Sequence, residues 1–229
     1  MSRCTAASTT TARSIGAEAA LNGLADAVID LGRLALAFAA IDRTACYHPD
    51  GVTKESDSDH TVMLGWIAPA LAARCFPQLD AGLVAQFAVI HDMPEVYAGD
   101  TPTLRISDAG RRAKAAREAA ATSRLADEFG ERLPWVPFML TLYEAQRLPE
   151  ARFVRGLDKC LPKVVHLLSE AKGLIEEGIT AAGLREVFTR QAEDMATYVG
   201  DFAELLELRA ELSERTIALL ARIEGVTVP

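Results

Sequence analysis

Residues 83–103 read LVAQFAVIHDMPEVYAGDTPT, in which an apolar segment runs directly into His91 and Asp92. Adjacent side chains inside a regular helix point about 100° apart, so these two could not easily face one point there. Pro94 disfavours helical geometry at Met93, which predicts that the helix ends here and that His91 and Asp92 converge. Acidic groups beside an apolar helix cost desolvation energy unless a positive species neutralises them, as a metal ion would.

The chain as a whole has a helical pattern. It has 229 residues, half of them hydrophobic, which is enough to bury a sizeable core. Apolar residues recur mostly at spacings of three and four, and no segment shows convincing strand alternation. We therefore expect an all-α protein with a flexible N-terminal tail at 1–15 and one helical domain at 16–229. The predicted helices are 16–41, 60–75, 80–92, 108–129, 135–147, 150–173, which Pro162 should kink, 180–199 and 201–223.

Charge and cysteine content narrow the possible functions. A net charge of −8 argues against a surface that coats a nucleic-acid polymer or an anionic membrane. The most apolar stretch, 21–41, contains Asp26, Asp30 and Arg33, so it predicts an amphipathic helix rather than a membrane span. The four cysteines show no CxxC or CxxH spacing, which indicates neither a zinc ribbon nor a disulfide scaffold. The cytoplasm is the expected compartment.

The histidines and tryptophans allow more than one interpretation. His60 stands where an apolar helix should begin, and any one histidine is more often a structural residue than a ligand. Imidazoles and carboxylates gathered from separate helices are, however, the ligands that suit a first-row divalent metal. His166 is expected in the core or at a second site, and His48 in a solvated turn. Trp66 and Trp135 are expected in the core, although either could stack on a base.

The order and spacing of these residues match a known family. His60, His91-Asp92, Glu95, the GDTPT segment at 99–103 and Asp158 in GLDKC follow one another along the chain. In this pattern the chain resembles the HD-domain metal-dependent phosphohydrolases, and most of all the bacterial 5′-deoxynucleotidases, over roughly residues 41–172. The resemblance implies an HD-domain-like helical bundle that releases inorganic phosphate from deoxyribonucleoside 5′-monophosphates.

The resemblance also implies a role for each matching residue. Arg43 would hold the substrate phosphate, and Asp100 and Thr101 would also contact the substrate. Glu95 would orient or deprotonate the attacking water, and Asp100 would contact the sugar or help to protonate the leaving oxygen. Without the resemblance, Arg43 reads as a surface arginine, and Glu95 and Asp100 as hydrogen-bond partners of the histidines. The implied ligands of one divalent transition metal (Mn, Co, Fe or Zn, with Mg possible) are His60, His91, Asp92 and Asp158.

Three departures from the family pattern lie on the substrate side. Thr44 stands where the deoxynucleotidases have an aromatic residue, the loop at 46–59 is longer than usual, and 104–107 reads LRIS where a lysine is familiar. Two other functions therefore stay open. One is a deoxynucleoside triphosphate triphosphohydrolase, whose extra positive charge could come from Arg105, Arg111, Arg112 and Lys114. The other is a non-catalytic nucleotide-binding module.

The resemblance further implies a homodimer. The terminal helix at 201–223 offers a possible surface for a second copy, since its leucines fall near one face. Covering the chain's own core is the commoner role of such a helix.

Overall fold

A computed structural model describes residues 9–101, 104 and 106–225, with side chains from residue 23 onward. The all-α prediction is confirmed, with the addition of a short antiparallel hairpin formed by β1 (Asp42–Tyr47) and β2 (Lys54–Ser56). The helices are α1 (Thr9–Phe38), α2 (Asp57–Cys75), α3 (Ala81–Ile90), α4 (Glu95–Ala98), α5 (Asp108–Phe129), α6 (Trp135–Glu144), α7 (Pro149–Asp158), α8 (Leu161–Leu168), α9 (Lys172–Glu176), α10 (Ala181–Val199) and α11 (Ala203–Ile223).

The predicted helix at 150–173 is wrong in its continuity. Helix α7 ends at Asp158 and α8 begins at Leu161, and between them the Cys160 amide donates to the carbonyl oxygen of Leu157, three residues back, at 2.8 Å. Pro162 stands in the first turn of α8, where its missing N–H has no helical partner to lose. The expected kink is therefore a break, and it places Asp158 at a helix end.

The N-terminal boundary also differs from the prediction. Helix α1 begins at Thr9, seven residues before the predicted start of the first helix. Residues 1–8 of the predicted tail lie outside the described residues. The division into a tail and one domain stays a prediction.

Two clusters of buried apolar side chains form the core. The larger is built by α2, α3, α6 and α7 and contains Leu64, Phe87, Leu140, Phe153 and Leu157. The smaller joins α9 and α10 to α11. Leucines of α11 contribute to both clusters, so this helix covers the chain's own core as expected.

Both tryptophans contradict the expectation of a core position. Trp66 is 76% exposed on α2, and Trp135 is 43% exposed at the start of α6. The indole N–H of Trp135 donates to Oε1 of Gln86 on α3 at 3.2 Å. Helix periodicity places each tryptophan beside buried neighbours, but it does not distinguish the buried edge of a helix from its exposed edge.

A capping box fixes the start of α2. The Ser56 hydroxyl accepts a hydrogen bond from the Asp59 amide at 3.1 Å, and Oδ2 of Asp59 accepts one from the Ser56 amide at 2.9 Å. His60 follows in the first turn, so the cap sets the direction of its imidazole. None of the helices in the described ranges has both the length and the apolar character that crossing a membrane requires.

Candidate active site

Two imidazoles and two carboxylates from three parts of the chain meet at one point. His60 comes from the first turn of α2, His91 and Asp92 follow the last residue of α3, and Asp158 ends α7. One ligand atom from each of the four lies within 4.8 Å of the other three. Nε2 of His60 lies 3.0 Å from Oδ1 of Asp158, and Nε2 of His91 lies 3.0 Å from Oδ2 of Asp92.

The contacts of His91 leave one of its ring nitrogens free to bind a cation. Its Nδ1 lies 2.9 Å from the carbonyl oxygen of Ala88, and this hydrogen bond assigns the ring proton to Nδ1. The lone pair of Nε2 is therefore free, and this buried nitrogen lies 3.0 Å from Oδ2 of Asp92 without a hydrogen-bond partner. A buried, unpaired acceptor beside a carboxylate is costly unless a positive species neutralises both. A nitrogen and oxygen donor set of this kind fits a divalent transition metal.

Glu55 and Asp158 act on the other imidazole. Nδ1 of His60 lies 3.6 Å from Oε1 of Glu55, which is buried at the hairpin. Burial acts to lower the pKa of His60, but hydrogen bonding to Asp158 and the nearby Glu55 outweighs it and raises the pKa to about 9. His60 is thus protonated in the metal-free protein and has to lose this proton to become a ligand.

Arg43 lies beside the cluster among carboxylates. Its Nη1 is 3.1 Å from Oδ2 of Asp92 and 3.3 Å from Oδ1 of Asp57, and its Nε is 3.7 Å from Oε2 of Glu55. The guanidinium is largely buried but also lines the central cavity. Arg43 is therefore not an ordinary surface arginine, because it links the hairpin to the four-residue cluster.

Glu95 begins α4 at the wall of the same cavity. Its Oε1 accepts from Nζ of Lys114 at 3.2 Å, whereas its buried Oε2 has no partner. Burial is the largest cause that raises the pKa of Glu95, to about 9, and the negative charge of Asp92 adds to it. Neutralisation of Asp92 by a bound cation would remove this second cause and favour ionised Glu95.

Asp100 and Thr101 lie at the cavity but are engaged by protein groups. Oδ2 of Asp100 accepts the Thr44 amide proton at 2.8 Å, which ties β1 to the turn after α4. Oγ1 of Thr101 accepts from Nη2 of Arg117 at 2.8 Å. Neither contacts the histidines, so the alternative reading of Asp100 as a histidine partner is not what this geometry shows.

The two remaining histidines occupy different surroundings. His48 lies in the hairpin turn and pairs through Nε2 with Asp59 at 3.2 Å, at the surface as expected. His166 is buried on α8 and lines the central cavity. It is not one of the four clustered residues, and its burial agrees with the expected core position.

The cavity joins the cluster to a second group of side chains that sequence reasoning missed. It has a volume of about 290 Å³ and extends from the cluster to α8 and α10. Tyr143 packs edge-on against the ring of His91, with 6.2 Å between the ring centroids. Lys159 binds the outer oxygen of Asp158 at 2.6 Å, and Lys163 is buried further in. A lysine three residues before His166, on the same side of a short helix, is a signal that could have identified Lys163.

Comparison with known proteins agrees with this geometry. A 5′-deoxynucleotidase of Vibrio vulnificus (strain YJ016) is 29% identical over 174 residues, which cover 69% of this chain and 84% of the relative. The crystal structure of a predicted metal-dependent phosphohydrolase from Magnetospirillum magnetotacticum MS-1 has a TM-score of 0.65 at 23% identity. The similarity covers 87% of this chain and 96% of that one, and it shows a shared fold.

The family assignment rests on the match to a family model. The model of the HD domain family matches residues 40–199, a range that contains all four clustered side chains and the cavity. The expected resemblance to HD-domain phosphohydrolases is thereby confirmed, and with it the prediction of an HD-domain enzyme. The chain belongs to the HD domain family.

Proposed function

We propose that this protein is a metal-dependent 5′-deoxynucleotidase, which hydrolyses deoxyribonucleoside 5′-monophosphates to deoxynucleoside and inorganic phosphate. The observation that carries the proposal is the buried Nε2 of His91, which lies 3.0 Å from Asp92 without a hydrogen-bond partner at the wall of an open cavity. The 29% identity to a 5′-deoxynucleotidase supports the choice of substrate.

The proposed metal ligands are His60, His91, Asp92 and Asp158. A divalent ion held there supplies Lewis acidity, which stabilises negative charge on phosphoryl oxygens and makes water a stronger acid. The pairing of His60 with Glu55 and of Asp158 with Lys159 orients two of these ligands before any ion binds.

The neighbouring side chains would handle the substrate and the protons. Glu95 accepts a proton from the attacking water, since its free Oε2 is buried at the cavity wall. Arg43 binds the phosphate through the part of its guanidinium that lines the cavity, and the substrate then competes with Asp57 and Asp92 for it. Asp100 and Thr101 approach the sugar from the turn after α4.

A monophosphate suits the charges of the cavity better than a triphosphate does. Lys114 lines the cavity, but Glu95 and Glu118 already bind its ammonium group. Arg111 and Arg112 are exposed on α5 and do not line the cavity, and Arg105 lies outside the described residues. Seven described carboxylates line the cavity against five described cations, so it lacks the excess positive charge expected for a triphosphohydrolase; the cations are Arg43, Lys114, Arg155, Lys159 and Lys163.

Phosphate release from a nucleotide panel tests the proposal. The purified protein is incubated with Mn, Co, Mg or Zn and with deoxynucleoside mono- and triphosphates. We expect inorganic phosphate from the monophosphates, and loss of at least about 100-fold in kcat for E95Q with unchanged metal content. The exposed E131Q is the matched control. Tripolyphosphate as product would indicate the triphosphohydrolase, and nucleotide binding without turnover would indicate a binding module.

A homodimer is part of the proposal. The apolar side chains Val62, Trp66, Val89, Trp135 and Phe138 are exposed on α2, α3 and α6. Helix α3 packs against both α2 and α6, so the three helices are neighbours in the fold. A second copy would cover them, and α11 is not needed because its leucines already pack internally. Sedimentation velocity should show a dimer that W66E weakens and the exposed-site control V52E does not.

We also propose a reducing compartment such as the cytoplasm. Cys46, Cys75 and Cys160 are free thiols, and Cys46 and Cys160 are buried. Disulfides persist mainly in oxidising compartments, so three unpaired cysteines favour a reducing one. Fractionation of the native host cells would test this.

A further inference from the structure

The proposed mechanism uses one end of the cavity and leaves the other unexplained. The unexplained end is lined by Pro162, Lys163 and His166 of α8, by Phe188 and Gln191 of α10, and by Ile179 before it. It is continuous with the metal cluster through Asp158 and Lys159, which line the same cavity. We call it the inner compartment.

Lys163 is buried in the inner compartment without an acidic partner. Its side chain is 2% exposed, and its Nζ donates to the carbonyl oxygen of Lys159 at 2.8 Å. Nζ also lies 4.5 Å from the centroid of the Phe188 ring, a cation–π contact. In the described part of the chain no carboxylate lies within ion-pair distance of this ammonium group. A buried charge without a counter-charge is costly, and such groups are mostly kept for function.

His166 stands one turn further along the same face of α8. Its ring is 3% exposed, and its buried Nδ1 has no hydrogen-bond partner. Burial and the charge of Lys163 lower the pKa of His166 to about 4, so the imidazole is neutral at physiological pH. The inner compartment therefore offers two free N–H bonds of an ammonium group and one unsatisfied imidazole, among apolar side chains.

We infer that the inner compartment binds the nucleobase of the substrate and selects bases whose edge carries carbonyl oxygens. Lys163 donates to such an oxygen, as in thymine, uracil or guanine, and Pro162 and Ile179 contact the faces of the ring. Adenine offers ring nitrogens and an amino group, and that amino group would face the ammonium of Lys163 without an acceptor. This inference rests on the proposed function, because it assigns the base of the same nucleotide.

A flat base fits the inner compartment better than further phosphates do. Besides Lys163, the described side chains that line this end include Phe188, Ile179 and Pro162, and Glu177 adds a carboxylate. A polyphosphate carries several charges and needs several cations with no acid nearby. An aromatic base instead needs apolar walls and a few placed donors, which is what these residues provide.

Substrate preference in K163M tests the inference. Wild type and K163M are compared on dTMP, dGMP, dAMP and 2-deoxyribose 5-phosphate, which has no base. We expect K163M to lower kcat/KM for dTMP and dGMP about tenfold, the value of one hydrogen bond to a charged donor. The value for the sugar phosphate should change less than twofold, and the value for dAMP should not fall. K172M, which alters an exposed lysine outside the cavity, is the matched control.

Thymidine binding separates this inference from the proposed function. Calorimetric titration of the metal-loaded protein with thymidine involves no hydrolysis, and K163M should bind at least about tenfold more weakly. If no phosphate is released from any monophosphate but K163M binds thymidine more weakly than the wild type does, the proposed function is wrong and the inferred base site is supported. Equal thymidine affinity and an unchanged dTMP to dAMP ratio would overturn the inference. K163Q keeps an uncharged donor, so its thymidine affinity should lie between those of the wild type and K163M. This variant keeps the test valid if K163M does not fold.

Discussion

Replacing the buried ammonium group of Lys163 by a thioether should stabilise the fold. Burial is the largest cause that lowers the pKa of Lys163, from 10.5 to about 8, and the nearby Arg209 adds to it. At about 1.36 kcal/mol per pKa unit, this difference corresponds to roughly 3 kcal/mol of lost stability at pH 7. The contact with Phe188 and the hydrogen bond to Lys159 offset part of it, so K163M should gain about 1–3 kcal/mol.

The stability that K163M gains over the wild type should decrease as the pH rises. The pKa of Lys163 is lower in the folded than in the unfolded state, so between pH 8 and 10.5 the unfolded chain binds more protons. The stability of the wild type therefore rises across this window, and the advantage of K163M shrinks by about 2.5 kcal/mol between pH 7 and pH 10.

Urea unfolding at pH 7 and pH 10 measures both effects. Each variant is followed by circular dichroism, and K172M serves as the control, because its lysine is exposed and pairs with Glu176. Lower stability of K163M at pH 7, or a difference that does not change with pH, would refute the reasoning. A residue that costs stability where it stands is expected at a functional site.

Three other changes have predictable effects. A side chain on Gly173 would overlap the carbonyl oxygen of Ala45, so G173A should lose at least about 2 kcal/mol in urea unfolding, and an unchanged midpoint would contradict the packing. The folded-state pKa of His166 is about 4, so the free energy of unfolding of the wild type should fall by up to about 3 kcal/mol between pH 6.5 and pH 4. The unfolding free energy of H166L should depend less on pH. Parallel pH profiles of the two proteins would contradict this. Chelation should lower the melting temperature and Mn should restore it in calorimetry, whereas no change would argue against a metal in the folded state.

The helices, and the convergence of His91 and Asp92 at the end of α3, could be predicted because both depend on local sequence. Apolar periodicity gives the helices, and Pro94 requires that the chain turn after Asp92. The break after Asp158 was harder to predict from the sequence, since Pro162 is compatible both with a kinked helix and with the first turn of a new one. Tertiary contacts made the choice.

The acids of the hairpin were harder to predict. Glu55 and Asp57 belong to a run of polar residues that reads as a solvated loop, yet both are buried. Glu55 is the middle residue of β2, which is too short to reveal strand alternation, and Asp57 is the first residue of α2. The burial of Lys163 depends on Phe188, which lies 25 residues further along the chain, so periodicity alone could not show it.

The net charge of the groups around the four proposed ligands favours a divalent cation. Ion-pair contacts up to 4 Å join two cations to four carboxylates: Arg43 and Lys159 to Glu55, Asp57, Asp92 and Asp158. With both histidines neutral, two negative charges are left over, which matches one divalent cation. Without the ion, protons supply this charge. Burial raises the pKa of Asp57 to about 6, and His60 is protonated up to about pH 9. Metal and protons therefore compete for the same site, and the site should bind metal more tightly as the pH rises towards the pKa of His60.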